Sequence, residues 1–160
     1  MGDWTGFFAA EVGAAAALAG LVMVAISINL QRILSEPGLV GRAAETLVAP
    51  SGVLIVASLA LVPGQPRWLF GAEAVAVGAG MALAPVLVLF GLHRMQGHRG
   101  AGYIAARVAL AVACCVPFLV SGVLLLLGSP FALYWMVPGV VVSLVSTVIA
   151  AWVLLVEILR

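Results

Sequence analysis

Five long runs of hydrophobic residues, separated by short polar stretches, dominate the chain. The first run extends from Gly6 to Arg32 with no basic residue in between. A bilayer core about 30 Å thick needs roughly 20 apolar residues in a helix, so this run predicts a membrane-spanning helix. The same pattern predicts a single transmembrane domain over residues 1–160, with five spans at about 6–31, 43–63, 69–92, 104–127 and 131–158.

The second run is the shortest, and Pro50 lies within it. Counted from Pro50 to Pro63, the run is too short to cross a bilayer. We therefore expect this helix to begin near Gly41 and to bend at Pro50, because a proline inside a helix removes one hydrogen bond. The stretch 63–68 contains two prolines and one glycine, which predicts a turn after the helix.

Arginines are distributed unequally between the two predicted sides of the membrane. Arg67 is alone on one side, and Arg107 lies near the other. That other side holds Arg32, Arg42, Arg94, Arg99 and Arg160. Because basic loops stay in the cytoplasm, we expect the N-terminus outside and the C-terminus in the cytoplasm. The predicted fold class is thus an all-α integral membrane protein, a bundle of five transmembrane helices.

The composition supports a membrane location. Hydrophobic residues make up 65% of the chain and charged residues 8%, whereas soluble proteins carry about 25% charged residues. All seven basic residues are arginine, which with the abundant Ala, Gly and Val is typical of a GC-rich bacterial genome. We therefore predict a multi-pass protein of the plasma membrane, the bacterial inner membrane, in contact with membrane lipids. A net charge of +1 gives no basic field for nucleic acid.

One face of the first span carries the main candidates for a pore. At about 100° per residue, Glu11, Leu18, Val22 and Asn29 share this face, and Ser27, on the opposite face, belongs to the polar cluster at the end of the span. If the face lines a pore, Leu18 and Val22 form an apolar constriction between two polar mouths. The alternative is an ordinary helix end, whose polar side chains meet head groups or a neighbouring helix.

Charged residues inside other predicted spans are further candidates. Glu73 in span three is expected at a depth similar to that of Glu11, where carboxylates would attract cations or relay protons. Alternatively, these acids reach the head groups or bond to a neighbouring helix. Arg107 either extends to the inner interface or pairs with Glu45 or Glu157.

Small and hydroxylated residues suggest how the helices pack. The face of span one opposite Glu11 has the spacing that lets helix backbones approach closely in lipid; it holds Gly13, Ala16, Ala17, Gly20 and Ser27. We expect spans one and three, the richest in small residues, to form the packed centre. Ser143, Ser146 and Thr147 stand at helical spacing in span five, and either bond within the protein or line a solute path.

The sequence gives no positive support for catalysis. No catalytic motif, metal site or cofactor site is predicted, and the adjacent Cys114 and Cys115 are expected to be small packing residues. A bundle of this size leaves little room for an internal pathway. We therefore expect a homo-oligomer with any pore on its symmetry axis. The leading hypothesis is a channel or small-solute and ion permeation protein. The alternative is an accessory or assembly subunit of a larger membrane complex, without transport activity of its own.

Overall fold

The computed structural model describes residues 4–35, 39–95 and 101–157, and all regular structure in these residues is helical, which confirms the all-α prediction for them. The α-helices are α1 Thr5–Ile28, α2 Leu30–Ser35, α3 Leu39–Thr46, α4 Val48–Ala60, α5 Arg67–Met95, α6 Ala101–Leu126 and α7 Met136–Trp152. A 3-10 turn, Ala132–Trp135, precedes α7, and a π-helical turn, Val153–Glu157, follows it. Arg99 and Arg160, which support the predicted orientation, lie outside the described residues.

Four stretches of the described chain are long and apolar enough to cross a membrane. They are Thr5–Ile28, Leu39–Ala60, Ala105–Leu126 and Ala132–Leu155. These stretches correspond to predicted spans one, two, four and five, so the chain is a membrane protein with transmembrane helices. The predicted third span falls on α5. Its crossing of the membrane, the total of five spans and the orientation stay predictions.

The second span is divided at Leu47, three residues before Pro50. Pro50 has no N–H to donate to the carbonyl of Thr46, and its ring crowds that carbonyl. Leu47 N–H instead donates to Ala44 O at 3.2 Å, and the helix restarts with Ser51 N–H donating to Leu47 O at 3.1 Å. The α-helical hydrogen bonding is therefore interrupted one turn before the proline, and the bend expected at Pro50 stays a prediction.

The backbones of α5 and α6 approach each other closely. A Cβ added to Gly122 would lie 2.7 Å from Gly71 O, and one added to Gly71 would lie 2.9 Å from Gly122 O. The expectation that spans one and three form the packed centre is wrong, because α5 packs mainly on α6 while α1 packs mainly on α4 and α7.

The helix α1 packs one side on the bundle, and its buried residues include both large and small side chains, Phe8, Ala15, Val22 and Ala25. Phe8 and Val22 are buried, whereas nothing lies within 4 Å of a Cβ added to Gly13 or Gly20. The small-residue face is on the outside, together with the large side chains of Leu21, Met23, Val24 and Ile28.

Aromatic side chains join the helices at one end of the bundle, where α1, α5 and α7 begin. The rings of Trp4 and Tyr134 meet edge to face, with centroids 4.9 Å apart, and those of Phe8 and Phe70 do the same at 6.2 Å. We call this the Trp68 end. The opposite end, where α1 ends and α3 and α6 begin, is the Arg42 end.

Candidate functional site

The helices α6 and α7 are in close contact near the Trp68 end and separate toward the Arg42 end. A Cβ on Gly139 of α7 would lie 3.0 Å from Pro117 Cβ and 3.1 Å from Phe118 Cε2 of α6. Further along, Cys114 Sγ lies 3.7 Å from Ser146 Oγ. Beyond this contact a cavity of about 590 Å³ opens. We call it the α6–α7 cleft.

Most of the wall of the α6–α7 cleft is apolar. The apolar lining includes Ile33, Leu39, Met81, Leu110, Ile149 and Leu154. Leu110 is 49% exposed and Ile149 is 58% exposed, so the cleft is open on the side between α6 and α7. Its volume lies within the range of about 300–1,000 Å³ that is typical of small-molecule sites.

Charged side chains stand at the Arg42 end of the cleft. The guanidinium of Arg107 forms an ion pair with the carboxylate of Glu45, and both side chains are about one-fifth exposed. This pair is one of the alternatives predicted for Arg107, and the structure confirms it. Arg42 also lines the cleft, so two guanidiniums stand at this end. The mouth of the cleft therefore carries two positive charges and one negative charge.

A second, smaller cavity lies on the other side of the same ion pair. It measures about 140 Å³, and Glu45, Arg107 and Cys115 line it together with apolar residues of α5 and α6. Cys114 lines the α6–α7 cleft instead. Both thiols are free. The two adjacent cysteines therefore line different cavities, and the Arg107–Glu45 pair lines both.

The hydroxyl groups at the closed end of the cleft bond within their own helix. Ser146 Oγ donates to Ser143 O at 2.8 Å, and Thr147 Oγ1 donates to the same oxygen at 2.7 Å. Ser146 and Thr147 also line the cleft, so both roles considered from the sequence are compatible with their positions. No group of three or more His, Cys, Asp or Glu that could hold a metal ion occurs among the described residues.

The predicted pore face of α1 points toward the protein interior over much of its length. Val22 is fully buried and Leu18 is partly buried. Asn29 is 4% exposed, and its Nδ2 donates to Leu154 O at 2.8 Å and to Ala25 O at 3.0 Å. Ser27 is exposed and donates to a carbonyl of its own helix. Asn29 therefore links α1 to the π-helical turn that follows α7.

The two candidate carboxylates near the Trp68 end have separate surroundings. Glu73 accepts a hydrogen bond from Gln65 Nε2 in the turn between α4 and α5. Glu11 Oε2 is buried and has no hydrogen-bond partner among the described residues. Within this part of the chain no hydrogen bond joins Glu11 to Glu73, and the proposed role of either in conduction stays a prediction.

The cleft itself and the contributions of Arg42 and Met81 were not predicted from the sequence. The available signals were Arg107 and Glu45, charged residues within predicted spans, and the proline that divides the second span. These signals mark positions along the chain, but they do not show that α3, α6 and α7 meet at one end.

The fold and the cleft together define a class, a small helical membrane protein with four candidate membrane spans. No protein-family model, curated protein or solved structure matches the chain.

Proposed function

We propose that this protein is a small-solute permeation protein, and that an amphipathic solute binds in the α6–α7 cleft. The proposal rests on the presence of this cleft. Its apolar walls suit an alkyl chain, and the charged residues at the Arg42 end suit a polar head group. The opening between Leu110 and Ile149 gives such a molecule a route from the lipid. With the arginine-rich side in the cytoplasm of a bacterial cell, the mouth faces the inner leaflet.

Permeation requires movement at the closed end of the cleft, and Met81 is the side chain we assign to it. Met81 lines the cleft and also contacts α4, where a Cβ on Gly52 would lie 2.3 Å from Met81 Sδ. Methionine is unbranched and changes rotamer at low cost. In the proposed mechanism, rotation of Met81 extends the cleft toward the Trp68 end.

Transbilayer movement of labelled lipids tests the proposal. Vesicles with the protein receive NBD-labelled phosphatidylcholine or phosphatidylglycerol, and dithionite bleaches the label that reaches the outer leaflet. We expect faster bleaching of the inner-leaflet label than in protein-free vesicles. Ala150→Phe, which fills the cleft, should abolish the acceleration, whereas Val148→Phe on the exposed face of α7 should retain it. No acceleration with either lipid would overturn the proposal.

A homo-oligomeric ion channel with an axial pore is a second candidate, and the buried, unpartnered Oε2 of Glu11 favours it. Such an atom in a membrane span is costly unless it meets a proton, a cation or another polar group. Potassium flux through reconstituted liposomes tests this candidate. We expect Glu11→Ala or Glu73→Ala to abolish the flux, and unchanged flux in both variants would remove these residues from the mechanism.

The role of an accessory subunit is supported by a different feature, the exposed small-residue face of α1. Small residues let a second helix approach closely in lipid, whether it belongs to another copy or to another protein. Native mass spectrometry of protein extracted in a mild detergent separates these roles. A closed homo-oligomer supports the channel, and one copy bound at fixed stoichiometry to another protein supports the accessory role.

A further inference from the structure

The charges at the mouth of the α6–α7 cleft favour an anionic ligand. Arg42 is partly buried and makes no hydrogen bond or ion pair with the described residues, whereas Arg107 is paired with Glu45. Arg42 and Arg107 line the same cleft, where their like charges repel each other. An anion beside both guanidiniums offsets that repulsion, while a cation would add to it. A zwitterionic head group brings its own cation to the two arginines and therefore gains less.

The depth of these arginines corresponds to that of lipid head groups. Arg42 is the fourth residue of the candidate span Leu39–Ala60, and Arg107 is the third residue of Ala105–Leu126. Residues at the ends of a span lie near the membrane interface, and basic pockets between transmembrane helices at this depth bind phosphate-bearing head groups. Leu110 and Cys114 line the cleft deeper in the same span.

The side opening indicates a lipid and not a free anion. A free anion needs no apolar wall, yet apolar residues make up most of this cleft. The gap between Leu110 and Ile149 allows one acyl chain to enter while a second chain remains in the bilayer.

We propose that the α6–α7 cleft binds an anionic phospholipid, with one acyl chain in the cleft and the phosphate at Arg42. This inference rests on the proposed function, because it names the amphipathic molecule that occupies the same site. The Arg107–Glu45 pair forms the rim beside the phosphate, and the acyl chain extends toward Met81.

Lipid titration followed by native mass spectrometry tests the head-group preference. The full chain in a mild detergent is titrated with phosphatidylglycerol or with phosphatidylcholine of the same acyl chains. Both lipids offer a phosphate to Arg42, but Arg42 and Arg107 repel the choline cation of phosphatidylcholine, so we expect about tenfold tighter binding of phosphatidylglycerol. Arg42→Gln should remove this preference. Arg67→Gln, at the Trp68 end and away from the cleft, should retain it and serves as the control.

Photo-cross-linking of the unmodified protein locates the acyl chain, and it does not depend on the folding of any variant. Phosphatidylglycerol with a diazirine on one chain is incorporated in nanodiscs, and labelled peptides are mapped. We expect label on Met81, Cys114 or Ser146, with no competition by glycerol phosphate, which has the head group but no chain. Label confined to exposed faces such as Val148, or competition by glycerol phosphate, would contradict a lipid in the cleft.

The outcomes separate the inference from the proposed function. Equal binding of the two lipids together with accelerated transbilayer movement overturns the anionic preference and leaves permeation standing. Selective binding of phosphatidylglycerol without transbilayer movement supports the ligand class and overturns permeation. If Arg42→Gln does not fold, the comparison of the two lipids on the unmodified protein still decides the preference.

Discussion

The side-chain amide of Asn29 donates a hydrogen bond to the main-chain carbonyl of Leu154 at 2.8 Å. This bond joins the end of α1 to the π-helical turn after α7, two elements that are far apart in the sequence. The same amide also donates to Ala25 O at 3.0 Å. One side chain therefore caps the end of α1 and links it to the π-helical turn after α7. Asn29 is 4% exposed, so water cannot replace its amide as the donor to either carbonyl.

Replacing Asn29 should weaken the bundle at its Arg42 end. Asn29→Ala removes both bonds and leaves the carbonyl of Leu154 without this partner, at a cost of about 1–2 kcal/mol in the free energy of unfolding. Ser27→Ala is the control, because the Ser27 hydroxyl is exposed and bonds only within α1. Steric-trap unfolding in bicelles measures the free energy of unfolding of both variants. Equal losses in the two variants would contradict a special role for Asn29.

The Arg107–Glu45 pair predicts a coupling between two substitutions. Arg107→Gln or Glu45→Gln alone leaves one charge in a mostly buried site, whereas the double variant removes both. We expect the double variant to lose less stability than the sum of the single variants, by about 1–2 kcal/mol. A second cycle with Arg42→Gln and Glu45→Gln serves as the comparison and should show weaker coupling. Additive losses in the first cycle would show that the ion pair contributes little.

Glycines that contact a backbone should respond differently from glycines that do not. In Gly122→Ala the new Cβ would overlap the carbonyl oxygen of Gly71, so α5 and α6 must separate, at a cost of about 1–3 kcal/mol. Gly80→Ala on α5 places its Cβ in open space and should gain about 0.5–1 kcal/mol from the better helix propensity of alanine. Thermal unfolding in detergent compares the two. A similar change in both variants would contradict the close α5–α6 contact.

The periodicity of span one allowed its faces to be predicted, but not their roles. A spacing of 100° per residue places Glu11, Leu18, Val22 and Asn29 together, and the structure shows Val22 and Asn29 buried along that line. Periodicity gives only an angle around the helix axis, so it did not show that this face meets α4 and α7. That depends on contacts with α4 and α7, whose residues are distant in the sequence.

The cleft was harder to predict because it depends on where two helices separate. The close contact of Gly139 with Phe118 holds α6 and α7 together on one side, and the space opens beyond Cys114 and Ser146. Ser146 and the adjacent cysteines stand out in the sequence, but their positions along the chain do not show where α6 and α7 separate. Arg107 was the useful signal, because a charge within a span requires a partner, and Glu45 was among those considered.

The two adjacent cysteines provide a direct test of the cleft. Cys114 lines the cavity of about 590 Å³ and Cys115 the cavity of about 140 Å³. In nanodiscs, N-ethylmaleimide should alkylate the Cys115→Ser variant, which keeps Cys114, several-fold faster than the Cys114→Ser variant. Adding Ala150→Phe should slow the reaction of Cys114 and leave that of Cys115 unchanged. Equal rates in the two single variants would show that the cleft is closed to the reagent.

The exposed face of α1 predicts which substitutions change assembly without changing the fold. Gly13 and Gly20 have no atom within 4 Å of an added Cβ, so Gly13→Leu and Gly20→Leu should fold normally within one copy. If α1 packs on a helix of another copy, each leucine keeps the two backbones apart, and native mass spectrometry should show a shift from oligomer to monomer. Val145→Leu, on an exposed part of α7, is the control and should leave the mass unchanged. An oligomer that persists in both glycine variants would place the contact on another surface. Loss of a different bound protein instead would identify α1 as the contact of an accessory subunit.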